Sequence, residues 1–327
     1  MGPDLMMNIR LTRVPTIAVA LVFTLLLAPT EVIRAQDAQK PLFSTGVAVV
    51  PITALVRDGK NRIVRNLGRD DFQVLENGRV RPIVDFNAKA DASLSVAFLF
   101  DTSGSMRLAL NLEKGIWFIE HFLSQMAPVS DEAAFFTFHK TLRQEVPFTS
   151  DRELIHRALG HVNPWGLTSL YDAIAETANR VTDRSASRRA VVVISDGVDT
   201  SSALTTQQVS ALASAVDVPI YVVAVVSPID RPDQKGSERP NRGNLADLAE
   251  WTGGELVYVT VPEQSGTVTR DLIAMMRQQY FLAIESATQP GWYPIEVKTK
   301  REGFTVRARR GYTTEAPAAA VSRGRTQ

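Results

Sequence analysis

The sequence predicts an α/β fold: a doubly wound, mainly parallel sheet flanked by helices, with further β segments on its N- and C-terminal sides. Three observations carry this. Short apolar runs (Leu94–Phe100, Ala133–Phe138, Ala190–Ile194, Ile220–Val226 and Leu256–Val259) are spaced through the middle of the chain. Helical periodicity fills intervals between them, which is the grammar of βα units. Both flanks read with the period of two that marks half-buried strands. With 327 residues, 45% of them hydrophobic and 22% charged, the chain has ordinary globular composition and enough apolar material for a sizeable core.

From the N-terminus, Arg10 and Arg13 precede an apolar run from Ile17 to Ala28, broken only by Thr24. The small Ala35 then stands before the polar Gln36-Asp37-Ala38-Gln39. This is the layout of an export signal over residues 1–35. The run falls short of the roughly 20 apolar residues that cross a bilayer, which favours a cleaved signal over an uncleaved N-terminal anchor. Either sends the bulk of the chain across a membrane, to a periplasm or to the exterior.

Residues 42–92 read as an N-terminal β unit, VAVVPITALV, RIV, DFQVLEN and RPIVDF, with turn signals at Asp58-Gly59 and Asn77-Gly78. Residues 93–279 hold the α/β domain. There Leu112, Ile116, Ile119, Leu123 and Met126 recur at helical spacing, Leu170, Ile174, Thr177 and Val181 do the same, and a last helix runs from about Ser265 to Gln279. Asp230–Asn244, rich in Pro, Gly and charge, reads as a surface loop. Residues 280–313 return to strands in YFLAIES, WYPIEVKTK and FTVRARRGY, with a turn at Gln289-Pro290-Gly291. Each β fragment is marginal alone, so the two are expected to pack together or onto the central domain. Residues 314–327, TEAPAAAVSRGRTQ, lack an apolar face and read as a disordered tail.

Composition also excludes chemistry. Thirty-six Lys and Arg stand against 35 Asp and Glu, so there is no global positive field to gather nucleic acid or anionic lipid. The absence of Cys removes disulfides, thiolate nucleophiles, iron–sulfur clusters and Cys-type zinc. The four His residues include no HExxH pair.

What remains lies at the carboxyl ends of strands, where open parallel sheets place their sites. Asp101-Thr102-Ser103-Gly104-Ser105-Met106 follows the Leu94–Phe100 run, and Ser195-Asp196-Gly197 follows Ala190–Ile194. Gly166-Leu167-Thr168-Ser169 opens the helix that carries Leu170 and Ile174. Asp101, Ser103, Ser105, Thr168 and Asp196 are all oxygen donors. Hard oxygens without imidazole or sulfur suit Mg²⁺, Mn²⁺ or Ca²⁺ rather than zinc or copper. A divalent ion held by two carboxylates and three hydroxyls keeps an exchangeable position, whose natural complement is a carboxylate from another molecule.

DTSGSM after an apolar strand, Thr168 within GLTSLYDAI and Asp196 within VVVISDG resemble the metal ion-dependent adhesion site of von Willebrand factor type A (VWA) domains. The resemblance covers about Leu94 to Gln279. The flanks DFQVLENGRVRPIVDF and FTVRARRGY are similar to the bacterial exported proteins described as von Willebrand factor A related. It implies a VWA-like, Rossmann-like fold. It further implies that the two Ser and the Thr approach the ion directly, that the two Asp often act through water, and that an acidic side chain of a partner completes the octahedron.

Other residues have plainer readings. Asp172, in the first turn of a helix, satisfies N–H groups; Asp199 is a loop residue or helix cap; His139 is a surface imidazole. Arg188 and Arg189 read as a solvated strand edge, and Trp117, Trp165 and Trp251 as core or pocket packing. The resulting expectation is a metal-dependent protein-binding module for adhesion or assembly, taking a protein or peptide with an exposed Asp or Glu. It has no nucleic-acid partner, and it meets a membrane only through its N-terminus. A scaffold in which the ion merely staples loops is the alternative. An enzyme is the lesser one: phosphotransfer sites want a second acid two residues after the nucleophile and a nearby Lys, where this chain has Ser103 and, after Asp101, no Lys until Lys114.

Overall fold

The computed structural model describes residues 48–88, 92–182, 184, 188–215, 217–227 and 242–314. The export-signal layout and the tail lie outside the described residues, except that Thr314 ends a strand. The elements are β1 (Val49–Asp58), β2 (Phe72–Glu76), β3 (Arg79–Arg81), β4 (Asp85–Asn87), β5 (Leu94–Asp101), α1 (Asn111–Gln125), β6 (Glu132–Phe138), β7 (Leu142–Thr149), α2 (Arg152–Leu159) and α3 (Leu170–Thr182). They continue with β8 (Arg188–Ser195), α4 (Thr206–Ala215), β9 (Ile220–Val225), α5 (Arg242–Trp251), β10 (Leu256–Val259), α6 (Ser265–Arg277), β11 (Tyr280–Glu285), β12 (Gly291–Thr299), β13 (Phe304–Ala308) and β14 (Gly311–Thr314).

The central sheet has six strands in the order β10-β9-β8-β5-β6-β7, parallel except for the antiparallel edge β7. Because β5 is covered on both faces, its residues are apolar in succession rather than alternating. Leu94, Val96, Phe98 and Phe100 pack in one core with residues of α1, α2 and α6. Ala97 and Leu99 point into the other, with α3, α4 and α5. The chain leaves β5 toward β6 and β7 and returns on the other side to β8, so the strand order reverses beside β5. Such reversals open a crevice past the carboxyl ends of the strands.

The two terminal β segments form neither separate sheets nor separate cores. One four-stranded sheet runs β13-β1-β11-β4 and another β14-β12-β2-β3, each mixing strands from both ends of the chain. Antiparallel pairing aligns Val50 with Ile284, Ile52 with Leu282 and Ala54 with Tyr280. These residues pack with Phe72, Val74, Ile295, Val297 and Tyr312 of the other sheet into a single sandwich core. Asn77 (φ 49°) and Gly78 (φ 74°) make the tight β2–β3 hairpin turn in the left-handed geometry that Asn-Gly favours.

The sandwich sits against the amino-terminal edge of the central sheet. Arg188, which opens β8, donates to the Gln279 carbonyl beside β11 (2.6 Å). Glu255, just before β10, receives Arg57 (2.5 Å) and Arg307 (2.9 Å). Arg309 pairs with Asp217 before β9 (3.3 Å) and donates to the carbonyls of Ser214 (2.5 Å) and Pro51.

Several readings need correction. Arg188 is buried, because its edge of the sheet is covered by the sandwich. Trp117, Trp165 and Trp251 are 46%, 61% and 41% exposed, so none is a core anchor, while Trp165 keeps the pocket reading, packed on His139 at the wall of a cleft. Strand β7 and helices α2, α4 and α5 carried too weak an apolar period to be read: β7 is LRQEVPFT, an edge with one covered face. The loop expected over Asp230–Asn244 ends earlier, since α5 begins at Arg242; the rest lies outside the described residues.

Two substitutions test this packing. A Cβ on Gly254 would lie 2.0 Å from the Ile220 carbonyl oxygen, a backbone atom that cannot rotate away. Gly254→Ala should therefore cost about 3 kcal/mol or more. Arg309→Met leaves Asp217 buried without its counter-charge and should cost about 3–5 kcal/mol. Both losses should appear as a lower urea midpoint with an unchanged m-value.

Candidate metal centre

Each element ends where its local chemistry stops it, and three ends meet at one rim. Strand β5 terminates at Asp101, whose side chain is fully buried. Its Oδ1 accepts the Ser103 N–H (2.8 Å) and its Oδ2 accepts the Ser195 hydroxyl (2.6 Å). The first bond curls the chain into a tight loop that brings the Ser103 and Ser105 hydroxyl oxygens to 3.1 Å. The second ties the end of β5 to the end of β8. Asp196 follows directly, 5% exposed, its Oδ1 accepting the Val198 N–H (3.3 Å).

Thr168 comes from a third loop. The Gly104 N–H donates to the Gly166 carbonyl (3.1 Å) and the Trp165 N–H to the Thr102 carbonyl (2.7 Å), lacing this loop to the DTSGS loop. On its other side the Thr168 N–H donates to the Thr200 hydroxyl (2.9 Å), while the Thr200 and Ser201 N–H groups donate to the Thr168 carbonyl (each 2.9 Å). The structure thus gathers Asp101, Ser103, Ser105, Thr168 and Asp196 on loops joined edge to edge at the carboxyl rim of the sheet.

Of the lacing residues, Asp199 as a helix cap and Asp172 as an acceptor of N–H groups were legible in the sequence, though not the loops they join. Asp199 accepts the Leu170 N–H (2.8 Å) and the Ser202 hydroxyl accepts the Tyr171 N–H (3.0 Å), so the first-turn donors of α3 are satisfied from the loop after β8. Asp172 returns the tie by accepting the Ala203 and Leu204 N–H groups (each 2.9 Å). Ser195 carried a weak signal, a polar residue ending an apolar strand just before Asp196. Thr102, Thr200 and Ser202 carried none, since loop hydroxyls are commonplace. His139 is half-buried and packs its ring against Trp165 at 4.9 Å.

The donor set fits a hard divalent cation. Neither Asp101 nor Asp196 forms an ion pair among the described residues, although both are buried. Burial pushes the Asp101 carboxyl up to about 7, with the neighbouring Asp196 charge adding to the rise and the bonds from Ser195 and Ser103 opposing it. Thr168 is 3% exposed, and its hydroxyl, free of hydrogen bonds among the described residues, is not one of the fully buried polar atoms left without a partner. No cluster of three or more His, Cys, Asp or Glu side chains suited to a metal occurs among them either, so the donors here are mainly hydroxyls.

Residues 95–265 match the von Willebrand factor type A domain. The chain belongs to this family. Its VWA domain comprises the central sheet, and domains of this family commonly mediate protein–protein interaction. Among solved structures, an aerotolerance-related membrane protein from Bacteroides fragilis is 22% identical, with a TM-score of 0.46 over 56% of this chain and 98% of that one. BatB from Bacteroides thetaiotaomicron is 20% identical, with a TM-score of 0.46 over the same shares, 56% and 98%. A von Willebrand factor type A protein from Catenulispora acidiphila is 12% identical, with a TM-score of 0.48 over 84% of this chain and 76% of that one. No curated protein matches the chain.

The buried acid gives the VWA domain a pH signature. A carboxyl raised from 3.8 to about 7 on folding stabilises the metal-free protein at low pH, and that contribution is lost as pH rises through 7. In chelator, Asp101→Asn should gain on the wild type, by on the order of a few kcal/mol above pH 7 and by nothing near pH 4. Urea unfolding of both proteins across that range reads the difference.

Proposed function

We propose that the chain is an exported, metal-dependent protein-binding module, in which Asp101, Ser103, Ser105, Thr168 and Asp196 hold Mg²⁺, or Mn²⁺ or Ca²⁺, and capture an acidic side chain of a partner. The observation that carries the reading is the pair of buried carboxylates, Asp101 and Asp196, with no ion pair among the described residues, on one rim with the Ser103, Ser105 and Thr168 hydroxyls. When bound, the ion supplies a positive charge with a coordination position open to an outside carboxylate. The protein's part is to hold oxygens in place: Ser195 and the Ser103 N–H orient Asp101, and the loop after β8 fixes Thr168 by both its backbone groups. Because these contacts are made by the protein's own groups, the reading favours capture over a loop-stapling scaffold.

The reading is not enzymatic. The buried Lys114 donates to the carbonyls of Ala109 (2.7 Å) and Val226 (2.9 Å), an assignment that commits its amine to the fold. The partner is a protein or peptide presenting Asp or Glu. Export rests on the basic residues and apolar run before Ala35, and places the module in a periplasm or outside the cell, with an N-terminal anchor as the remaining membrane link. Among the described residues no helix is long and apolar enough to cross a membrane.

Calorimetry should find one Mg²⁺ or Mn²⁺ site, lost in Asp101→Ala and in Ser103→Ala/Ser105→Ala; equal affinity in all three proteins would remove the assignment. Chelated protein should still unfold cooperatively, with the ion adding about 3 kcal/mol at a hundredfold excess over Kd. Thr168→Ala, Asp196→Ala and EDTA should each weaken capture of partners from the native exported fraction, while phosphate and carboxyl esters show no turnover above buffer. Hydrolysis that needs the metal and disappears in Asp101→Asn would instead make the protein an enzyme.

A further inference from the structure

Large exposed apolar side chains are scattered over most of the described surface, but one group is not. Leu108 and Leu110, on the segment that continues the DTSGS loop, are 66% and 59% exposed. Trp165 and Leu167, on the loop that carries Thr168, are 61% and 55% exposed. The two loops are hydrogen-bonded to each other through Gly104 and Gly166 and through Trp165 and Thr102. The four side chains therefore flank the oxygen cluster from two sides. Exposed apolar groups gathered around a site mark an interaction surface more often than chance.

Two features indicate that this display is built. Ala109 (φ 52°) and Leu110 (φ 59°) are consecutive non-glycine residues in the left-handed region, a costly conformation that persists only where the surroundings hold it. They are held by Lys114, whose ammonium donates to the Ala109 carbonyl (2.7 Å) while anchored on Val226 at the end of β9 (2.9 Å). On the other loop, Trp165 packs against His139, beside a cleft whose lining includes the charged Arg143 and Glu145, and its ring stays largely exposed next to Leu167.

We infer that the partner's acidic residue is flanked by large apolar side chains, Leu, Ile, Phe or Trp, one seated on Leu108 and Leu110 and the other on Trp165 and Leu167. This deepens the metal-dependent reading of the site and rests on it. The choice of occupant follows from complementarity. The centre needs one carboxylate to meet a cation held by buried acids. Around it stand the exposed apolar side chains of the two loops, with Arg107, exposed on the same segment as Leu108, of the sign that suits an acid.

An array of synthetic heptapeptides, each with a central Asp or Glu and randomised flanks, should be probed with the full chain in Mg²⁺ and in EDTA. Leu108→Asn/Leu110→Asn and Trp165→Ser/Leu167→Ser are compared with wild type, Asn being chosen because it tolerates the left-handed backbone. The expected result is selection of apolar residues beside the acid, binding lost in EDTA, and a loss of about tenfold or more in both rim variants. Their Mg²⁺ affinity and thermal midpoint should stay at the wild-type values. Magnesium-dependent selection of the acid with polar or random flanks, or undiminished binding by the rim variants, overturns this inference and leaves the site reading standing. So does a bound ion with no peptide selected. Failure to bind Mg²⁺, or apolar peptides bound without regard to acid or metal, overturns the site reading itself.

Discussion

A carboxylate buried at the end of a central strand sets the terms for the rest of this molecule. Asp101 closes β5, which lies between two helical layers and between β6 and β8, so no water reaches it and no basic side chain is beside it. Its charge is met only by a hydroxyl from Ser195 and an amide from Ser103. Desolvation of this kind costs several kcal/mol unless something compensates. The surrounding loops are consequently dense in short bonds that orient oxygens inward, and the arrangement has the electrostatics of a cation site before any cation is considered. Moving Asp101 by one residue along β5 would turn its side chain into a helical layer, because strand side chains alternate between faces.

Rigidity at the rim comes from reciprocal bonding between loops that are far apart in sequence. Asp199 and Ser202 satisfy the opening turn of α3, and Asp172 of that helix satisfies the loop that carries them. A bond in each direction means that neither loop can shift without leaving buried donors unpaired. The amino-terminal edge of the sheet is built differently. There the sandwich is fixed by arginines: Arg188 on a carbonyl, Arg309 on Asp217 and Arg57 with Arg307 on Glu255. The two ends of the sheet thus divide the labour. One carries the attachments that make the flanking strands part of the protein, and the other is left open, with exposed leucines and a tryptophan facing solvent around buried oxygens.

What the sequence by itself determined is the part of the protein whose signal is local. Apolar runs buried on both faces of a sheet need no partner to be recognised, so β5, β6, β8, β9 and β10 were legible, as were α1, α3 and α6 from their spacing. The DTSGS, Thr168 and Asp196 positions were legible because each follows such a strand or opens such a helix, and parallel strands deliver their ends to one rim. Only the tertiary structure decided the rest. Edge strand β7 has one covered face and a broken period, and α4 and α5 bury short stripes that the sequence does not set apart. Arg188 looked solvated and is buried, because the surface that covers it belongs to a segment distant in the chain. The same holds for the terminal strands, whose alternation announced sheets but not partners. Register between β1 and β11 pairs Ile52 with Leu282 across more than two hundred residues, and antiparallel pairing of that separation is chosen by the shared core it buries rather than by anything written in either strand alone.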